Sequence, residues 1–215
     1  MKRIITMLVA FLFSAISYAN YNKAILYMED GTKKIGLAEM VESADSKVNF
    51  KKDEKAKKEK IPTADIKKIE YTDEDKNEYV AEKLYLTSAN AFSGKFSKSK
   101  EKKWFYIIYD RDIKIGCVDF AGTIQYNPIK GTSSGQFGDT TYFFGKKKGD
   151  ELYFGFFKSG AGAAIHTQTG SHIKKMAKEA FASCPKLVAA IEKEDFKTKT
   201  ALNQLITLFE TNKCK

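Results

Sequence analysis

The stretch TYFFGKKKGDELYFGFF, residues 141–157, places two aromatic arms on either side of a polar turn. Aromatic residues favour strands, and the Gly145–Asp150 segment between the arms is typical of a hairpin tip. Such a hairpin cannot easily bury all of its rings unless helices cover one side. We expect the C-terminal helices to cover it; the alternative is an exposed aromatic face that binds a partner. The candidates for such a face are Tyr142, Phe144, Tyr153 and Phe156.

The chain before this hairpin has the pattern of short strands joined by turns. Asp30-Gly31 lies between two apolar-rich runs and predicts a hairpin with a type I′ turn, which needs positive φ at both central residues. Runs with the alternation or apolar density of strands are 46–53, 66–71, 78–86, 104–110 and 113–120. The run 78–86 also fits a helix, but we favour a strand. Charged or turn-rich segments are 51–60 (a hairpin tip, or a basic docking patch), 93–103 (a linker) and 124–141 (a loop).

The periodicity changes after KSGAGAA, residues 158–164, from two residues to the 3.6 of a helix. Residues 171–184 form an amphipathic helix with Ser171 as its cap, Pro185 begins a second helix, and 198–212 has helical spacing. We therefore predict an α+β fold in one domain, 20–215. An antiparallel, hairpin-rich sheet over 20–160 precedes two or three helices over 170–215.

The first 19 residues, MKRIITMLVAFLFSAISYA, have the pattern of a secretory signal peptide. Lys2 and Arg3 precede a short apolar run, and small residues precede an expected cleavage after Ala19. The alternative is an uncleaved anchor. No later segment is long and apolar enough to span a membrane, so we expect a soluble exported chain. We expect no appended sorting domain at the C-terminus, and therefore expect the periplasm rather than the cell surface or the extracellular medium.

The basic charge argues for solubility rather than for nucleic-acid binding. The formal charge of the whole chain is +10, and removal of Lys2 and Arg3 leaves +8. Arg3 and Arg111 are the two arginines, and every other basic residue is lysine. Specific phosphate and base contacts favour the guanidinium fork, so we expect no nucleic-acid partner.

Cys184 and Cys214 bracket the last two predicted helices. Export would place them in a compartment where disulfides form and persist. We predict a disulfide between them, which would stabilise the fold by roughly 3–4 kcal/mol in the chain-entropy model. The alternative is two free thiols.

Both ends of the chain resemble a group of small exported proteins of Bacteroidota. HIKKMAKEAFASCPKLVAAIEKEDFKTKTALNQLITLFETNKC, residues 172–214, resembles their helix, Cys-Pro, charged loop, helix and terminal cysteine. YMEDGTKKIGLAEM, VNFKKD and IPTADIKKIEY resemble their N-terminal strands, although Pro62 precedes Thr63 here. The resemblance implies an exported location and a style of fold, and no mechanism.

Chemistry-bearing residues are sparse. Cys117, with His166 or His172 and Asp119, could form a thiol-dependent site for acyl transfer or deamidation. The alternative is a buried hydrophobe, because Cys117 shares a predicted strand face with Ile113 and Ile115. The two histidines have no adjacent carboxylate pair, so we expect neither a metal nor a cofactor.

Three functions from different classes follow from these features. We favour an exported, non-catalytic binding or accessory protein of the cell envelope whose partner is another envelope protein. The first alternative is a periplasmic immunity or inhibitor protein against a toxin or hydrolase, for which a charge of +8 would suit an acidic target. The second is a thiol-dependent enzyme that uses Cys117.

Overall fold

The computed structural model of the chain describes residues 21–90, 93–111, 113–118, 122–127, 132–137, 140–158, 169–197 and 200–213. The strands are β1 (Tyr21–Met28), β2 (Lys33–Glu39), β3 (Lys47–Lys51), β4 (Glu59–Pro62), β5 (Ile66–Thr72), β6 (Glu78–Ala89), β7 (Phe96–Lys98), β8 (Lys103–Asp110), β9 (Ile113–Val118), β10 (Gly122–Asn127), β11 (Thr132–Phe137), β12 (Thr140–Lys146) and β13 (Glu151–Lys158). The helices are α1 (Thr169–Ala180), α2 (Pro185–Lys193) and α3 (Ala201–Thr211). The α+β class, with helices at the C-terminal end, is confirmed.

All of these strands belong to one sheet, in the order β10-β11-β8-β9-β12-β13-β6-β5-β1-β2-β3-β4, with β7 beside β6. The pairing is antiparallel except between β13 and β6, which are parallel over three residue pairs. Strand β6 also pairs with β8, so β6, β8, β9, β12 and β13 form a closed ring. The prediction of an antiparallel sheet is therefore right for most pairs and wrong for β6 and β13.

The interior of the ring is a small apolar core. Every strand of the ring contributes buried side chains to it, and these are Val80, Leu84, Phe105, Ile107, Val118, Phe143 and Leu152. Gly116 of β9 faces this core: a Cβ there would lie 2.8 Å from Leu152 Cδ1 and 3.1 Å from Phe105 Cβ. The glycine at 116 therefore leaves room for Leu152 to cross the ring from β13.

A larger core lies between the sheet and the helices. Phe181, just after α1, stacks on Phe144 of β12 at 5.8 Å and meets the edge of Phe209 of α3 at 5.3 Å between ring centroids. Arg111, beside the β8–β9 turn, forms a 3.0 Å ion pair with Glu210 near the end of α3. The predicted β12–β13 hairpin and the predicted helical faces are confirmed, and the helices cover the hairpin as expected.

The turn around Asp30-Gly31 is a hairpin turn, but it is not type I′. Gly31 has φ +85°, whereas Asp30 does not have a positive φ. The four-residue loop places Met28 N 2.9 Å from Thr32 O, and the Asp30 carboxylate accepts hydrogen bonds from the amide and hydroxyl of Thr32. These hydrogen bonds lower the pKa of Asp30. The side chain of Asp30 thus stabilises a longer loop than the sequence predicts.

Several segments predicted to lack regular structure contain strands. The predicted linker 93–103 contains β7, and the predicted loop 124–141 contains most of β10 and all of β11. The tip 51–60 is solvated as expected, but the chain returns in the separate strand β4. Strand β7 spans three residues, all of them exposed, and the sequence of β11 has no apolar alternation, so these two strands carry little periodic signal.

Two further features concern the helices. Helix α1 begins at Thr169, so Ser171 lies within its first turn and is not its cap. Pro185 occupies the first turn of α2, as predicted. No helix in the described ranges has the length and apolar character needed to cross a membrane.

Candidate functional site

The aromatic residues proposed for partner binding are mostly part of the core. Tyr142, Phe144 and Phe156 are buried, and Tyr142 stacks on Phe156 at 5.0 Å. Tyr153 is half-buried and its hydroxyl donates a hydrogen bond to Glu151. The hypothesis of an exposed aromatic face is therefore wrong for the first three residues, because the ring and the helices cover both sides of the hairpin.

Cys117 lies in the core, with none of its surface exposed. Tyr106 and Tyr142 are its register partners in the neighbouring strands, and burial raises the pKa of its thiol. His172 lies on α1, with Nε2 3.2 Å from the carbonyl oxygen of Phe154. His166 and Asp119 lie outside the described residues. A substrate cannot reach Cys117, which removes the geometric basis for the thiol-enzyme hypothesis.

Cys184 is buried at the start of α2. Cys214 lies outside the described residues, so its pairing with Cys184 stays a prediction. Within the described ranges, no group of three or more His, Cys, Asp or Glu side chains is arranged to hold a metal ion.

Alkylation tests the disulfide and the burial of Cys117 together. We expect iodoacetamide to modify none of the three cysteines in the folded protein and Cys117 alone after unfolding without reductant. All three should react after unfolding and reduction. Intact-mass measurement counts the added groups, and more than one group without reductant would contradict the disulfide.

A cleft of about 580 Å³ opens beside the β12–β13 turn. It is lined by seven lysines and three carboxylates, an excess of four positive charges. The lysines are Lys67, Lys68, Lys83, Lys102, Lys114, Lys147 and Lys148. The carboxylates are Glu29, Glu82 and Asp150. We call this surface the lysine cleft.

A buried ion pair forms part of the lysine cleft. Lys114 of β9 is 7% exposed, and its ammonium donates a hydrogen bond to the Glu82 carboxylate of β6. Asp110 of β8 is the register partner of Lys114, and its Oδ1 is buried without a hydrogen-bond partner in the described part of the chain. Burial raises the pKa of Asp110, although the nearby Lys114 charge opposes that shift.

A second charged contact includes Tyr27 and Lys68 of the lysine cleft. The Tyr27 hydroxyl donates to the Glu70 carboxylate at 2.6 Å, and Lys68 contacts the same carboxylate at 2.7 Å. The Lys33 and Lys68 ammoniums lie 4.6 Å and 4.2 Å from the centroid of the Tyr27 ring. The hydrogen bond to Glu70 contributes most to raising the pKa of Tyr27 to about 12. The Glu70 carboxylate therefore partly neutralises the positive charge of Lys68.

Sequence patterns do not single out these residues. Lysines occur throughout the chain, and those of the lysine cleft come from five separate segments. Lys114 is the one position with a signal, because it is a charged residue inside an otherwise apolar strand. No protein-family model, curated protein or solved structure matches the chain. The lysine cleft is therefore the basis on which a function is assigned.

Proposed function

We propose that this protein is an exported, non-catalytic binding protein of the bacterial cell envelope and that the lysine cleft holds an anionic ligand. The observation that carries the proposal is the set of seven lysines, against three carboxylates, that line one cleft of about 580 Å³. That volume lies within the ordinary range of ligand sites. A concave surface with a net positive charge concentrates anions.

The ion pairs in and around the lysine cleft leave cations available for a ligand. Among the ion pairs of the described residues, Lys68 contacts Glu70 and Lys114 contacts Glu82. Lys67, Lys147 and Lys148 are exposed at the rim. Lys114 and Glu82 fix the local geometry, and the rim lysines can bend toward a bound anion. This division of roles suits recognition of a charged group by several separate ammoniums.

The proposal assigns binding rather than catalysis to the lysine cleft. Its lining residues in the described part of the chain include no histidine and no cysteine. Of its three carboxylates, Glu82 is held by Lys114 and Asp150 by Lys98 rather than placed for proton transfer. The expected location is the periplasm, from the signal pattern of residues 1–19.

An immunity or inhibitor protein is the second candidate. The same exposed rim lysines, with a charge of +8 on the chain after residue 19, would also suit the acidic surface of another envelope protein. A cross-linked pull-down from the native envelope with the tagged chain 20–215 separates the two. A stoichiometric acidic partner that is lost when the rim lysines are reversed would favour inhibition.

Charge reversal at the rim tests the binding proposal. We expect Lys147→Glu/Lys148→Glu to weaken pyrophosphate binding by about tenfold or more, because two attractive charges become repulsive within a Debye length of the ligand. The matched control is Lys57→Glu/Lys58→Glu, which makes the same charge change on the exposed β3–β4 tip. Isothermal titration calorimetry at low and high salt provides the measurement. Equal losses in both variants would show that net charge, not the lysine cleft, attracts the anion.

A further inference from the structure

We propose that the ligand of the lysine cleft is a single-chain anionic amphiphile, with its head among the lysines and its alkyl chain in a neighbouring apolar groove. This inference rests on the proposed function, because it adds a second contact to the same site. The groove has a volume of about 400 Å³, and its apolar side chains include Ile25, Ile35 and Val80.

The groove and the lysine cleft are neighbours on one face of the sheet formed by β2, β1, β5 and β6. The register gives an apolar row that consists of Ile35, Ile25, Glu70 and Val80. It gives a charged row, two residues away along each strand, that consists of Lys33, Tyr27, Lys68 and Glu82. Residues two apart in a strand are about 7 Å apart. One small molecule can therefore contact both rows.

The single charge in the apolar row is turned toward the charged row. The Glu70 carboxylate accepts the Tyr27 hydroxyl at 2.6 Å and pairs with the Lys68 ammonium at 2.7 Å. Both partners line the lysine cleft. Glu70 is therefore compensated, and it does not oppose an alkyl chain that lies across Ile25 and Val80.

The class of ligand is inferred from the net charge of the lysine cleft and from the short distance between the cleft and the groove. A purely apolar ligand would leave the excess of four positive charges without a counter-charge, and a small inorganic anion would leave the groove filled with water. Ile35 is 69% exposed at the rim of the groove, whereas Val80 is 8% exposed within it. A chain whose head lies among the lysines of β5, β6 and β9 would pass Val80 and extend toward Ile35 of β2. The short separation between the rows favours one chain attached directly to the charged group.

Alkyl phosphates of increasing length test the inference on the mature chain, 20–215. We expect the affinity for ethyl, butyl and octyl phosphate, measured by calorimetry below micelle formation, to rise by up to about fourfold per buried methylene. Ile35→Ser should weaken octyl phosphate by about fivefold or more and leave ethyl phosphate unchanged. Ile35 is largely exposed, so this variant should fold. Lys147→Glu/Lys148→Glu should weaken both ligands.

The outcomes separate this inference from the proposed function. Lysine-dependent binding that does not change with chain length would overturn the amphiphile and leave an anion site in place. If none of the phosphates binds, both proposals fall. A change of oligomeric state in Ile35→Ser, without any effect of chain length, would assign the groove to a contact between copies and overturn the inference.

Discussion

Phe181→Ala is expected to lower the free energy of unfolding by about 3–5 kcal/mol, the range for removing a buried phenylalanine ring. Phe181 is 2% exposed and lies between Phe144 of the sheet and Phe209 of α3. Its removal leaves a cavity where sheet and helices meet, and neither ring can move to fill it without leaving its own contacts. The loss is a large fraction of the roughly 5–15 kcal/mol that a domain of this kind has in total.

Urea denaturation followed by circular dichroism measures this loss as a lower midpoint at an unchanged slope. The matched control is Phe96→Ala, because Phe96 is 37% exposed on the short strand β7. Its replacement should change the free energy of unfolding by less than about 1 kcal/mol. Similar effects in the two variants would mean that Phe181 does not join the sheet to α3. A lower slope for Phe181→Ala would indicate instead that the helices unfold separately from the sheet.

Features with a local periodic signal could be predicted from the sequence. The β12–β13 hairpin follows from its two aromatic arms, and the buried face of α1 follows from Ile173, Met176 and Ala177 at helical spacing. Helix α2 begins at Pro185 because proline fixes the φ of a first turn. In each case the residues that determine the element are close together in the sequence.

Features that depend on distant partners could not be predicted. Strands β10 and β11 pair mainly with each other, and the polar composition of β11 gives no alternation. Closure of the ring needs β6 to meet both β8 and β13, and no local pattern encodes which strands become neighbours. The parallel β13–β6 pairing could not be predicted for the same reason, since the two strands are more than sixty residues apart in the chain.

The lysine cleft shows the same limit at the level of function. Its lysines are brought together by strand register and by the β12–β13 turn, so a count of lysines in the sequence does not reveal them. Lys114 carried a weak signal, as a charge inside the apolar run IKIGCV. Its partner Glu82 is 32 residues away, in a run whose alternation fits a helix as well as a strand.

Breaking the Lys114–Glu82 pair is expected to have the second large effect. Lys114→Met leaves the Glu82 carboxylate, whose side chain is 18% exposed, without its cation. Glu82→Met removes the carboxylate that pairs with the Lys114 ammonium, whose side chain is 9% exposed, and leaves Asp110 as its register partner. Each single variant should lower the free energy of unfolding by about 3 kcal/mol, the lower end of the range for a broken buried pair. We expect the lower end of the range because the Glu82 carboxylate is partly exposed, so water can solvate some of its charge.

The double variant Lys114→Met/Glu82→Met separates two contributions to the free energy of unfolding. One is the cost of leaving a single buried charge without its partner, and the other is the net stability that the ion pair provides. The double variant removes both charges and keeps unbranched side chains of similar length, so we expect a smaller loss than in either single variant. Urea denaturation of all four proteins completes the double-mutant cycle. Losses that simply add would mean that the two charges do not interact through this contact. A double variant near the wild type would instead show that the ion pair contributes little net stability.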